Sequence, residues 1–422
     1  MFFPCDWGYH PKMKSPIPPQ IGLGRLWLGT EEEALIKEVL GSRCLNRFAG
    51  PTPQTPPPMA LALEAELAAL FGSRHALAVT SGTAALETAL GALGIGPGDE
   101  VIVPAWSWIA CFTSIVRCGA RPVLAEVDES LCLAPGEIPR LLTPRTKAAM
   151  VIHFQGVPAE VDTLAAEARA AGIALIEDCA QSPGAIYKGR RVGTWGTIGT
   201  FSFQNQKTIT SGEGGAMVTD DPVLFERAVR MHDLGQYRPV FEKRLAPQGE
   251  MFCGGQYRMS ELTAAVALGQ LRKLDAIRAH CRNLRRVFDE ALGDLPPGLS
   301  RQHIPDPSGD SSIEMYFFAE SKELAASILA ALKGSGVNCI PMTGTYTHYR
   351  RAYCERGLAH SETASPFREL GSMPVPGYRA QDFPRTESLV HRLIALPFGV
   401  AYTGQDAIHM AKALHRACSA RR

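Results

Sequence analysis

From Ala76 onward, short apolar runs alternate with helical patterns. ALAVT (76–80), EVIVP (100–104), RPVLAEVD (121–128), AAMVIHF (148–154), IALIEDC (173–179), TIGTFSF (197–203) and GAMVTD (215–220) read as strands. TAALETALGALG (83–94), FTSIVRCG (112–119) and VDTLAAEARAAG (161–172) read as helices between them. Strands this continuously apolar are buried on both faces, so the pattern predicts an α/β fold with a predominantly parallel sheet between helices. Upstream, Pro4, Pro11, Pro16, Pro18 and Pro19 mark residues 1–25 as an irregular arm. A helix begins at Thr30, with Glu31, Glu32 and Glu33 suiting its positive start, and a second covers about 59–71. The stretch 260–296 is helical throughout, and a second, smaller domain is expected to begin near it. That domain holds a strand (312–320), a helix (322–336) and a strand (337–342). Residues 343–385 read as loop, and ESLVHRLIALPF (387–398) and TGQDAIHMAKALHRA (403–417) finish the chain. The expected division is an arm (1–25), a large domain (26–260) and a small C-terminal domain (261–422).

The bulk numbers narrow the function. With 422 residues the chain is too long for one compact core. A formal charge of +1 gives no basic field to recruit nucleic acid or anionic membrane. No run of 18 apolar residues is free of charge, and the first residues lack a signal-peptide pattern, so no membrane span or leader is expected. The eleven cysteines include no CxxC pair, which argues against a zinc ribbon or disulfide framework and for a reducing cytoplasm; no metal site is expected.

Three features stand in order on strand ends and the loops after them, where open α/β sheets bind ligands. Thr80-Ser81-Gly82-Thr83 lies between a strand and a helix. Its small residues and free helix N–H groups suit a phosphate, although such a turn alone is more often a simple cap. It is not the dinucleotide glycine fingerprint, which disfavours a nicotinamide dehydrogenase. Asp178 ends the apolar strand IALIED. A carboxylate there needs a cationic or hydrogen-bonding partner, and the protonated pyridine nitrogen of pyridoxal phosphate (PLP) is one. Lys207 follows the strand TFSF and precedes the glycine-rich TITSGEGG. Such a lysine is usually a solvated surface residue; with a lowered pKa it becomes a nucleophile for a carbonyl.

Taken together, SGTAAL (81–86), GPGDEVIVPAWSWIA (96–110), IEDCAQSPGA (176–185), SFQNQKTITSGEGGAMVTDD (202–221) and YRMSELTAAVALGQLRKLD (257–275) make the chain resemble the DegT/DnrJ/EryC1/StrS family. These are PLP-dependent sugar and aminocyclitol aminotransferases of fold type I, the aspartate aminotransferase superfamily. The resemblance implies a mostly parallel seven-stranded sheet between helices, a smaller C-terminal α+β domain, and a homodimer with shared active sites. It makes Lys207 the Schiff-base lysine and proton shuttle, Asp178 the partner of the pyridine nitrogen, and Gln181 a neighbour of the ring hydroxyl. Gly82, Thr83 and Ser202 become the phosphate cradle. Trp108 matches the stacking aromatic, with Trp106 as its nearby competitor. Gln256 stands where the family has an Asn that reaches the neighbouring subunit's phosphate. The implied reaction takes an amino group from glutamate or glutamine, passes through pyridoxamine phosphate (PMP), and delivers it to a keto or aldehyde sugar, keto sugar acid or cyclitol. Amino-sugar or antibiotic biosynthesis is the implied setting.

Gln204-Asn-Gln before the lysine departs from the His-Pro/Ala-Ser/Thr of many sugar members and leaves the acceptor open. LNRFAGP (45–51) hints at the branch acting on eight-carbon keto sugar acids. A PMP-dependent sugar dehydratase of the same family would carry His in place of Lys207, and a non-catalytic regulator would lose Lys207 or Asp178. His153 and Gln155 are expected near the cofactor layer. His348, Tyr346 and Tyr349 are open candidates for substrate contact. Glu213 is expected to fix the glycine-rich loop, Arg258 and Glu261 to pair at a subunit interface, and Cys111 and Cys179 to be packing residues.

Overall fold

Seven of the apolar runs pair into one sheet. The computed structural model describes residues 24–48, 58–337, 346–360, 377–396 and 398–419, with the isolated positions 339, 342 and 366. The strands are β1 (His75–Val79), β2 (Glu100–Pro104), β3 (Arg121–Ala125), β4 (Thr146–Ile152), β5 (Ala174–Asp178), β6 (Ile198–Ser202) and β7 (Gly215–Thr219). Their order is β1-β7-β6-β5-β4-β2-β3. β7 runs antiparallel to both neighbours, and the other pairs are parallel. Val79 and Ser202 both pair with Gly215, so the turn after β1 is drawn against the end of β6.

Helices α1 (Thr30–Ser42), α2 (Met59–Phe71), α3 (Gly82–Ala92), α4 (Ile109–Arg117), α5 (Val161–Ala171), α6 (Pro222–His232) and α7 (Glu261–Arg272) cover the sheet. Side chains alternate across each strand. Ala76, Ala78, Ala149 and Val151 meet α2, α5 and α7 through Leu63, Leu67, Leu164 and Leu268. Leu77, Val79, Met150 and Ile152 meet α3, α4 and α6 through Leu90, Ile115 and Val229. Burial on this scale stabilises by about 1.5–3 kcal/mol per large aliphatic side chain. The edge of β1 is closed by side chains: buried Arg47 donates to Ala78 O at 3.0 Å, and buried Glu64 accepts the Ala78 N–H at 2.8 Å. The two residues also pair with each other, so the edge offers no free ladder at Ala78.

The helical stretch beyond Ser260 is interrupted. α7 ends at Arg272, and α8 (Leu274–Leu292) restarts after Lys273, whose N–H bonds to Gln270 and Leu271 carbonyls. A second sheet follows, of β8 (Leu299–Arg301), β9 (Met315–Ala319) and β10 (Leu393–Leu396), in that order and antiparallel. α9 (Lys322–Gly334), α10 (Pro384–His391) and α11 (Gly404–Ser419) complete it. Met315 and Phe317 join a core with α8, α9 and α11. Tyr316 and Phe318 point the other way, into the core of the large sheet.

Several expectations shift. The strand expected at 312–320 shortens to Met315–Ala319, because Ser312 has φ 55° and breaks extension. The segment expected as loop holds a one-turn 3₁₀ helix (His348–Arg350), a short helix (Ala352–Glu355) and the start of α10. The arm before Gly24, the end of LNRFAGP and half of the expected strand 337–342 lie outside the described residues. Among the described residues, no helix is long and apolar enough to cross a membrane.

Candidate active site

Parallel pairing sets the C-terminal ends of β2, β5 and β6 along one edge of the sheet, β1 joins them because it and β6 both run antiparallel to β7, and the residues singled out in the sequence stand there. Asp178 is the last residue of β5 and is 5% exposed. The Ala180 N–H donates to its Oδ1 at 2.8 Å, and the Cys111 thiol donates to Oδ2 at 3.1 Å. Burial and the Asp178 charge push the Cys111 thiol well up, so it stays a neutral donor. Cys111 therefore touches a site carboxylate rather than only filling space.

Lys207 lies in the turn after β6, its N–H bonded to the Gln204 carbonyl at 2.8 Å. The residue as a whole is half-buried, and burial around its amine lowers the amine pKa. Asp178, Cys111 and Glu314 oppose the shift, which places all three within electrostatic reach. A lowered pKa raises the share of neutral amine, the form that attacks a carbonyl or takes a proton.

Beside this pair, α3 starts at Gly82. Ser81 caps it, its Oγ accepting the Ala84 N–H at 3.0 Å, while Gly82 and Thr83 stand at the open helix start. A Cβ on Gly82 would sit 2.7 Å from Ser202 Cβ and 3.0 Å from its Oγ. Only glycine lets the helix start approach the Ser202 hydroxyl so closely, and the two make one small, donor-rich cradle for an anion.

Gln181 is buried, and its Oε1 accepts the Gln155 N–H at 3.4 Å. Gln155 holds a left-handed backbone (φ 46°, ψ 46°), a strain of about 1–3 kcal/mol that clusters at functional sites. Its Nε2 reaches Tyr346 OH at 3.5 Å. Trp108 opens α4 and is 43% exposed, whereas Trp106 is 1% exposed and packs on Phe154. Of the two, Trp108 is the one with a face free to stack on a ligand.

Gln256 is exposed and its backbone bridges Asp233. Within the chain, Arg258 and Glu261 do not pair with each other. Arg258 pairs with Asp233, and Glu261, at the start of α7, turns back to accept the N–H groups that open α2, at Met59 and Ala60. Glu213 holds the glycine-rich loop through its carbonyl, which accepts from Ser211 Oγ at 2.9 Å, and its side chain is exposed. His153 is structural: Nδ1 accepts the Ala159 N–H at 3.1 Å and Nε2 lies 3.0 Å from Glu177 Oε2. Its ligand atoms, with those of Glu177 and Cys179, lie within 4.8 Å of one another, but both ring nitrogens are already engaged by the fold. His348 docks its own segment: Nε2 lies 2.8 Å from Ser107 Oγ, and burial lowers its pKa to about 3. Tyr346 thereby comes to lie at the site, while Tyr349 turns away to Glu387.

Glu314 was not anticipated. It precedes β9, is 3% exposed, and burial raises its pKa well above the ordinary range against the pull of Lys207. The signal was present: a lone carboxylate in the apolar run SIEMYFFA requires a reason.

A sequence model of the DegT/DnrJ/EryC1/StrS aminotransferase family matches residues 54–415. The chain belongs to this family. Among solved structures it is similar to 3-amino-5-hydroxybenzoic acid synthase at 30% identity and TM-score 0.76, over 93% of this chain and 97% of that one. It is similar to DesV of S. venezuelae at 30% identity and TM-score 0.77, over 96% of this chain and 100% of that one. A GDP-4-keto-6-deoxymannose-3-dehydratase, at 22% identity and TM-score 0.75 over 92% and 98%, shares the fold. The architecture is therefore that of the fold-type-I PLP aminotransferases, and the family is one of sugar aminotransferases.

Proposed function

We propose that this chain is a PLP-dependent aminotransferase, working as a homodimer, that moves an amino group from glutamate or glutamine to a carbonyl on a sugar, keto sugar acid or cyclitol. The observation that carries the reading is the meeting of Asp178, the enclosed Lys207 amine and the Gly82–Ser202 cradle at one sheet edge. The residues fit the cofactor: an anion-sized cradle, a buried carboxylate whose protein partners are an N–H and a thiol, and an amine with a lowered pKa. When bound, PLP supplies the electron sink for amine exchange.

The chain's own residues supply the rest. Gly82, Thr83 and Ser202 bind the phosphate. Asp178 keeps a positive charge on the ring nitrogen, and Cys111 holds the orientation of its carboxylate. Trp108 stacks on the ring, Gln181 orients its hydroxyl, and Gln256 reaches a second copy's site. Lys207 anchors the cofactor through Nζ and moves the proton at the reacting carbon, as base in one half-reaction and acid in the other. Residues 26–260 form the cofactor-binding domain and 261–422 the smaller domain. Lys207, where a dehydratase of the family would have His, favours transamination.

The test is Lys207→Ala assayed with PLP, glutamate and a panel of keto sugars, keto acids and an inosose. Activity is expected to fall about 10²–10⁴-fold, the usual worth of a positioned acid–base group. Product at the wild-type rate contradicts the reading.

A further inference from the structure

The most unusual group at the site is Glu314. Residues 310–314 dock on the loop that carries Gln155: the Ser311 N–H bonds to Gly156 O at 3.0 Å, and the place of a Gly156 Cβ lies 3.0 Å from the Ile313 side chain. Glu314 has the same parity as Tyr316, which faces the large sheet. The Tyr316 hydroxyl donates to Glu314 Oε2. No other hydrogen bond to the Glu314 carboxyl, and no ion pair, is made by the described residues. Lys207, Tyr346 and Tyr402 all feel its charge.

Around it stand aromatic rings. Phe154 lies 5.7 Å from Tyr316 and 5.6 Å from Tyr346, and Tyr346 lies 5.9 Å from Trp108. A buried carboxyl without a cation, set in an aromatic wall beside a reactive amine, has the composition of a cation-binding subsite. Ring faces attract a cation and the carboxylate neutralises it. Burial favours the neutral form of this carboxyl, so a cation that draws it into its charged form gains an ion pair, while an anionic ligand group finds no counter-charge there.

We propose that Glu314, with Tyr316 and Tyr346, is the acceptor-selecting subsite, and that the preferred acceptor is a ring bearing a cationic nitrogen, ammonium or guanidinium, rather than a carboxylate. This rests on the aminotransferase reading and narrows its three acceptor classes by removing the keto sugar acids.

The test measures binding without turnover. Holoenzyme is titrated with two ring-matched probes, myo-inositol and a guanidino-inositol, by calorimetry. Guanidinium cannot condense with the cofactor's carbonyl, so its binding reports only the subsite. Wild type is expected to prefer the guanidino ring by about tenfold or more, the usual worth of a charge-assisted hydrogen bond. Glu314→Gln is expected to abolish the preference while leaving myo-inositol affinity within about twofold, which also shows that the pocket is folded. Tyr316→Phe, which leaves the carboxyl in place but unoriented, is expected to reduce the preference partway. Failure of wild type to bind the guanidino ring above the inositol overturns the proposal, as does a preference that survives in Glu314→Gln or a variant that weakens both probes equally. Loss of the cofactor's visible band driven by glutamate or by glutamine is followed in parallel; if neither donor drives it, the aminotransferase reading has failed instead.

Discussion

Two neighbouring carboxylates of β5, Glu177 and Asp178, lie on opposite faces of the strand and show how one short sequence holds both a structural and a reactive group. Glu177 is 0% exposed and fully engaged: the Gly193 and Gly196 N–H groups donate to it at 2.7 and 2.6 Å, and His153 stands at 3.0 Å. Asp178 has one backbone N–H and one thiol. A buried carboxylate that serves the fold is saturated with donors. One that is left with weak partners at a sheet edge retains capacity for a ligand. The difference lies in what each face meets: the Gly193–Gly196 turn behind the sheet, and the open strand ends in front.

The largest break in that comparison comes from Asp178→Asn. It keeps the shape and removes the charge, and transamination is expected to fall by about 10²–10³ in kcat, the usual cost of one lost electrostatic contact in a site. Thermal stability should change little. Glu177→Gln is expected to do the reverse. Denaturant titration should show a loss of about 1–3 kcal/mol, because one acceptor of N–H groups becomes a donor, while the pH profile of kcat keeps its shape. If Asp178→Asn lowered stability and Glu177→Gln abolished activity, the assignment of roles would be reversed.

The smallest effect concerns pH. Glu314 has a raised folded-state pKa because of burial. The stability it contributes is fully present below its ordinary value of 4.5 and is lost as pH rises through the raised value. Glu314→Gln should therefore gain on the wild type as pH rises from 4.5, with a slope of at most about 1.4 kcal/mol per pH unit for one proton. Melting curves across pH check this; parallel wild-type and variant curves would show that Glu314 is not the desolvated group.

Much of the architecture was legible because strands buried on both faces write themselves as apolar runs, and Asp178 and Lys207 stood out at the ends of such runs. Ser202 and Gly82 were legible as residue types, but their contact depends on both Val79 and Ser202 pairing with Gly215, a register no local pattern reveals. Glu314 was missed because its face is set by how the small sheet packs on the large one. Tyr346 reached the site through long-range pairing: Thr347 bridges Trp106, and the Ser107 N–H bonds to the Tyr346 carbonyl at 2.9 Å. Arg258 and Glu261 do not pair within the chain because it turns into α7 between them, at Ser260, sending the two side chains to different partners.

Lys207 is the residue on which the proposed chemistry depends. Holoenzyme purified with PLP should be reduced with borohydride, digested and mapped by mass spectrometry. A pyridoxyl-phosphate adduct on Lys207 is expected, with the visible absorbance of the cofactor lost on reduction. An adduct on another lysine, or none with PLP present in excess, contradicts it.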